Sequence, residues 1–323
     1  MKDSTKLEIS KAANRYAVER GWAGEKKGGV NQLSRLSGVS SGYLSRMLSG
    51  DLNYDNGAII GTVQWNKLAK AIDFETDKVI WPKRNTPQFI ATISRLKEAK
   101  QNNIKGMIIG ESGCGKTYAF ERFKVVNPVN TKAITLSVLH NVRSLLDEIC
   151  QAFDVERKAS KVTCLKAIAG KIRNIDTTEN GLLIVFDEAE NASVPVLRTI
   201  KALYDQVKDY CSIILIGTPQ LIRNLERMKK RDAIGIPQFV SRFKANTVYL
   251  NDIRRIDPKT NDDHTFEEFF VDIKDEGLKA LIRGVCEDYR MLHDYLVPAF
   301  EKAEVMNTPL DEKFFRMING LTL

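Results

Sequence analysis

At 323 residues, with 43% hydrophobic and 28% charged side chains, the chain has the make-up of a folded globular protein and length for two domains, which excludes a disordered class. Its apolar runs, such as Leu182 to Phe186 and Ile213 to Ile216, are strand-sized and too short to cross a bilayer, and Met1 to Ser10 lacks the apolar core of a secretory signal; a cytoplasmic protein with no membrane partner is expected. A formal net charge of +8 and a pI near 9.1 favour a polyanionic partner, because clustered Lys and Arg displace counterions from phosphate backbones.

From Lys11 to about Ile72 the chain reads as short helices, and the stretch from Asn31 to Gly50 is the specific one. Leu33 and Leu36 keep helical spacing, Gly38 permits a sharp turn, Val39 plugs the gap, and Leu44, Met47 and Leu48 seat a second helix. That is helix-turn-helix grammar, and it places Ser40, Ser41, Tyr43 and Arg46 on the exposed early part of the second helix, where such modules meet base edges and phosphates. A small helical module that packs on another protein obeys the same grammar. Between Asp73 and Thr92 the spacing loosens around Trp81, Pro82, the Lys83-Arg84 pair and Pro87, which marks a linker leading into a helix near Phe89 to Lys100.

From Lys105 to about Asn251, strand-like runs alternate with amphipathic helices, the pattern of a parallel sheet with helices on both faces. The string Gly110-Glu111-Ser112-Gly113-Cys114-Gly115-Lys116-Thr117 satisfies G-x-x-x-x-G-K-[ST] between the strand-like Met107 to Ile109 and the helical Tyr118 to Phe123. Its glycines let backbone N–H groups fold around a pyrophosphate at the positive end of the next helix; Lys116 is expected to reach the β- and γ-phosphates of ATP and Thr117 to hold Mg²⁺. Cys114 within this loop reads as a tolerated small residue. The five cysteines are scattered, with no pair at the short spacing of zinc or redox motifs, and are expected to be reduced.

Leu182 to Phe186 runs into Asp187-Glu188, the Walker B pattern, in which Asp187 joins the Mg²⁺ shell and Glu188 polarises the attacking water; two acids opening a solvated loop are the plainer alternative. A third strand, Ser212 to Ile216, ends in Gly217-Thr218-Pro219-Gln220. If it lies between the strands bearing the other two motifs, Thr218 is a γ-phosphate sensor; otherwise this is a Gly-Pro turn. Beyond His264 the periodicity is helical without further strands, as in a small lid. The expected division is residues 1–80 as a helix-turn-helix DNA-binding-like domain, 81–255 as an α/β core and 256–323 as a helical lid.

This order of elements resembles the AAA+ superfamily, P-loop NTPases with a five-stranded parallel sheet and flanking helices, and within it the target-selection ATPases of phage Mu transposition B protein (MuB) type. The resemblance rests on Gly110 to Thr117, Leu182 to Glu188, the Gly217-Thr218 strand end, Phe239 to Phe243, Tyr289 to Leu292 and the N-terminal helices. It implies that Arg242 is an arginine finger acting on a neighbouring subunit's ATP, with Arg231 a competing candidate and an ordinary salt-bridging arginine the alternative. It implies equally that Arg290 is a lid sensor, where an arginine paired with Asp288 or Asp294 is the other reading. Members bind double-stranded DNA with little sequence preference as ATP-stabilised rings or helical filaments, deliver it to a transposase and release it on hydrolysis. Arg157, Lys158 and Lys161 are then candidates for phosphate contacts, or a solvated loop, and the stretch from Ile256 to Thr265 has no counterpart role. Helicase loaders and replication initiators share the same nucleotide site, and a nucleotide-switched transcriptional repressor is a third reading.

Overall fold

The computed structural model describes residues 3–22, 28–54, 59–74, 84–175, 181–306 and 308–322. The chain divides into two compact units, residues 1–82 and 83–323. Residues 75–83, which carry most of the expected linker including Trp81, Pro82 and Lys83, lie outside the described residues.

The described residues of the first unit form four helices, α1 (Asp3–Glu19), α2 (Gly29–Ser37), α3 (Ser41–Ser49) and α4 (Thr62–Ala71), with an isolated antiparallel bridge between Asn53 and Ile59. Ile9, Ala13 and Ala17 recur every fourth residue along α1 and are buried against Leu33, Leu44, Met47, Trp65 and Leu68. Gly38 ends α2 in the left-handed region at φ 67°, a conformation that costs a side-chain-bearing residue about 1–2 kcal/mol. Side chains stitch the turn that follows: Ser34 Oγ donates to Val39 O at 2.7 Å, and Val39 N donates to Ser37 Oγ at 3.2 Å, which holds the buried Val39 between the two helices.

The second unit opens with α5 (Pro87–Asn102), whose N-cap Thr86 accepts from Phe89 N and whose Pro87 stands at the first turn, where its missing N–H costs nothing. Then follow β1 (Lys105–Ile109), α6 (Lys116–Val126), β2 (Thr131–Thr135), α7 (Val142–Phe153), α8 (Lys161–Arg173), β3 (Leu182–Asp187), α9 (Val194–Val207), β4 (Cys211–Gly217), α10 (Pro219–Lys230), α11 (Ile236–Phe243) and β5 (Thr247–Tyr249). The five strands form one parallel sheet in the order β2-β3-β4-β1-β5. This is the AAA+ P-loop NTPase fold.

Every residue of β3 and β4 is buried, as both-face coverage of a parallel sheet demands. Met107, Ile109, Ile184, Phe186, Ile213 and Leu215 share a core with α7 to α11, while α5 packs on β1, β3 and β4 from the face to which the alternate residues point. After β5, Arg255 forms a two-bonded ion pair with Glu268, at 2.7 and 2.6 Å. Between them the role-less stretch makes an antiparallel bridge, Ile256 to Asp263, around a turn that Asp257 caps by accepting from Lys259 N. The chain closes with α12 (Glu276–Val285), α13 (Tyr289–Val305) and α14 (Glu312–Asn319), in the same compact unit as the sheet. No described helix is long and apolar enough to cross a membrane.

Candidate nucleotide site

Because the strands are parallel, β1, β3 and β4 deliver their carboxyl ends to one edge of the sheet, where open α/β folds bind ligands. Gly217 lies opposite Ile109, and Gly217 O accepts from Gly110 N at 3.2 Å, so the loop after β1 begins against the end of β4. β4 does lie between β1 and β3, the condition on which the reading of Thr218 depended.

The loop from Gly110 to Gly115 turns into α6 through two left-handed glycines, Gly113 at φ 71° and Gly115 at φ 84°. A side chain on Gly113 would run into the Asp288 carboxylate, and one on Gly110 would press on Leu250 and Cys114 Sγ, so the close turn requires glycine twice over. Lys116 is only 9% exposed, with Nζ donating to Gly110 O at 2.9 Å and Glu111 O at 2.6 Å, so its ammonium is held inside the loop it follows. Burial pushes the Cys114 thiol above its ordinary pKa against the pull of Lys116, which makes it a poor nucleophile. All five cysteines carry free, buried thiols. Glu111 accepts from Ile253 N at 3.2 Å, while Ser112 is exposed.

Thr117 Oγ1 donates to Asp187 Oδ2 at 2.8 Å across 70 residues of chain. Asp187 is 4% exposed, and its other oxygen accepts from Glu188 N at 2.9 Å. Glu188 is exposed and holds a left-handed backbone at φ 52°, an unusual conformation for a residue with a side chain and one that clusters at functional sites. Thr218 stands at the N-cap position of α10 without a side-chain capping bond, Pro219 follows in the first turn, and the Thr218 N–H donates to Glu190 Oε2 at 3.3 Å. Glu190 also accepts from Asn224 Nδ2 through its carbonyl, at 3.1 Å, and so ties the loop after β3 to the start of α10. Sequence reasoning passed over Glu190 and Asn191, whose only signal was their place directly behind Asp187-Glu188.

The family profile described as AAA domain matches residues 101–225, which span the loop after β1, Asp187-Glu188 and Thr218. Residues 101–225 are an AAA-type P-loop NTPase domain. The fold of this AAA domain and its surroundings is shared with the ORC2 protein of Aeropyrum pernix, solved in ADPNP-ADP complexes: 17% identity over 76% of this chain and 71% of that one, TM-score 0.51. Cdc6p from Pyrobaculum aerophilum aligns at 13% identity over 74% and 67% of the two chains with TM-score 0.48. The Thermotoga maritima RuvB Holliday junction branch migration motor aligns at 14% over 76% and 73% with TM-score 0.45. A comparison with curated protein sequences finds no match.

Outside the AAA domain, α13 begins against its phosphate loop. Tyr289 N donates to Gly113 O at 3.3 Å, and the Tyr289 hydroxyl donates to Gln88 Oε1 at 2.8 Å, while Gln88 Nε2 serves Asn251 O and Asp252 O. Burial first, then Glu268, push the Tyr289 hydroxyl up to about 12, so it stays a neutral donor. Arg290 follows on the exposed side of α13, with no ion pair to Asp288 or Asp294. Arg242 Nε donates to Asp205 Oδ1 at 2.8 Å and its Nη1 to Gln238 O at 3.1 Å, and Asp205 also takes Lys201 at 2.8 Å. Burial raises the Asp205 carboxyl, but Lys201 and Arg242 together outweigh it and hold it below its ordinary value. Arg231 caps the end of α10 and is exposed.

Of the expected phosphate-contact residues, Arg157 pairs with Asp147 and Lys158 with Glu156, each at 2.6 Å, while Lys161 opens α8 in an exposed position. In the first unit Ser40, Ser41 and Arg46 are exposed, Arg46 pairs with Asp51 at 3.3 Å, and Tyr43 packs on Tyr54 with ring centroids 4.9 Å apart.

Proposed function

We propose that this chain is an ATPase that assembles on duplex DNA and delivers it to a transposase. The observation that carries the nucleotide part is the 2.8 Å bond from Thr117 to Asp187 beside the glycine turn and Lys116: the two expected Mg²⁺-holding groups, far apart in sequence, already touch. ATP and Mg²⁺ fit these residues. The left-handed glycines and the start of α6 supply N–H donors for phosphate oxygens, and Lys116 supplies the cation. Among the described residues no three His, Cys, Asp or Glu side chains converge as a cation cage, so Thr117 and Asp187 would share Mg²⁺ with phosphate and water. Bound Mg²⁺ supplies charge neutralisation for the phosphates.

In this reading Glu188 orients and deprotonates water, Thr218 senses the γ-phosphate, Arg242 reaches a neighbouring subunit's nucleotide and Arg290 couples nucleotide state to the helical lid at 256–323. The shared fold with a protein solved in ADPNP-ADP complexes supports an adenine nucleotide. The DNA and transposase parts are supported by the resemblance to MuB-type proteins, by the +8 charge and by the exposed face of α3 in the domain at 1–80. Electron microscopy of the protein on long duplex DNA tests them. ATP is expected to yield ordered rings or filaments that Lys116→Ala abolishes, and addition of the cognate transposase is expected to accelerate hydrolysis. Bare DNA at every ATP concentration, or occupancy of a single short sequence, would contradict the assembly reading.

A further inference from the structure

The AAA-domain loop after β3 continues as a 3-10 turn from Ala189 to Asn191, and Asn191 faces back toward Glu188. Its Nδ2 donates to Glu188 Oε2 at 3.2 Å and to Leu136 O at 3.1 Å. Both partners are pure acceptors, so only the amide nitrogen can face them, and its two hydrogens match the two acceptors one for one. Leu136 is fully buried, and its own N–H donates to Asp187 O at 2.9 Å. The amide is therefore anchored on the rigid end of the sheet and passes that fixity to an exposed carboxylate on a left-handed backbone. Among the described residues Glu188 Oε1 has no hydrogen-bond partner, so one oxygen is held and the other is left to accept a proton.

We infer that Asn191 is a positioning residue for hydrolysis: it fixes the Glu188 carboxylate with one oxygen anchored and one open, as a general base requires. A hydrogen bond to an ionised group is worth enough to set a side chain's orientation, whereas without it an exposed glutamate samples several rotamers. Asn191 itself touches no reacting atom; it acts through Glu188. This inference rests on the ATPase reading above.

The test compares ATP turnover and nucleotide affinity, the latter by fluorescence titration with a labelled ATP analogue, in the full chain and its Asn191→Ala and Asn191→Asp variants. Loss of the donor is expected to lower kcat by about tenfold, with nucleotide Kd within about twofold of the parent. Asn191→Asp keeps the shape and sets an acceptor against two acceptors, so its loss is expected to be at least as large, and it serves where the alanine variant fails to give a cooperative melt. In a Glu188→Gln background, single-turnover assays are expected to find no further loss on adding Asn191→Ala, because the residue has nothing left to position. An unchanged kcat in both variants, or an equal loss with and without Glu188, overturns the assignment. Absence of turnover in the parent protein instead overturns the ATPase reading itself, and that control is read before any variant.

Discussion

Lys116 is held by two backbone carbonyls of its own loop, so replacing it removes a cation without stranding a buried carboxylate. Lys116→Ala is expected to melt cooperatively like the parent yet take up no ATP in equilibrium binding, and retention of parent affinity would remove its role. Glu188→Gln is expected to keep nucleotide affinity and slow single-turnover hydrolysis by about a hundredfold or more, the usual weight of a general base. These residues were legible in the sequence because their chemistry is written contiguously: eight residues fold one loop, and two acids end one apolar run. Glu190 and Asn191 were not, because their partners Thr218 and Leu136 arrive from other strands, and only the sheet order brings them near.

Among elements, the phosphate loop is a tight junction, since Gly113 is both left-handed and in contact range of Asp288 from the start of α13. Gly113→Ala is expected to lower the melting temperature, with about 1–2 kcal/mol from the backbone alone, and to weaken ATP binding; a variant as stable and as tightly bound as the parent would contradict the packing described. Alternating apolar runs foretold a parallel sheet, but the sequence held the position of β4 only as a condition, because strand order is a tertiary fact. The Arg242 bond to Asp205 bridges α11 and α9, a pairing across 37 residues that no local pattern announces. Its pH dependence has a definite sign. Because the folded Asp205 carboxyl lies below its ordinary value, its stabilisation is complete above the unfolded pKa and is lost as pH falls through the folded one. Asp205→Asn is therefore expected to lose less melting temperature than the parent on acidification into that range, and an identical acid profile would show the pair to be idle.

At the scale of the molecule, the +8 charge is distributed over a chain whose Arg157, Lys158 and Arg46 already carry local ion pairs. Those three would have to give up their carboxylates to meet DNA, whereas every phosphate that Lys or Arg neutralises releases condensed counterions, so DNA affinity is expected to fall linearly with salt on a log–log plot, with little dependence on sequence. A salt-independent affinity would exclude the backbone-contact reading. The sequence carried the architecture of an AAA+ core further than it carried the purpose of residues 256–265, whose bridge and capped turn follow from backbone pairing that charge and proline content only hint at. The central claim remains that a triphosphate with Mg²⁺ is the ligand of the loop between β1 and α6. Isothermal titration of the folded protein with ATP and Mg²⁺ tests it most directly: a single saturable site is expected, abolished by Lys116→Ala, and a parent protein that melts cooperatively yet evolves no binding heat at any of several temperatures would contradict it.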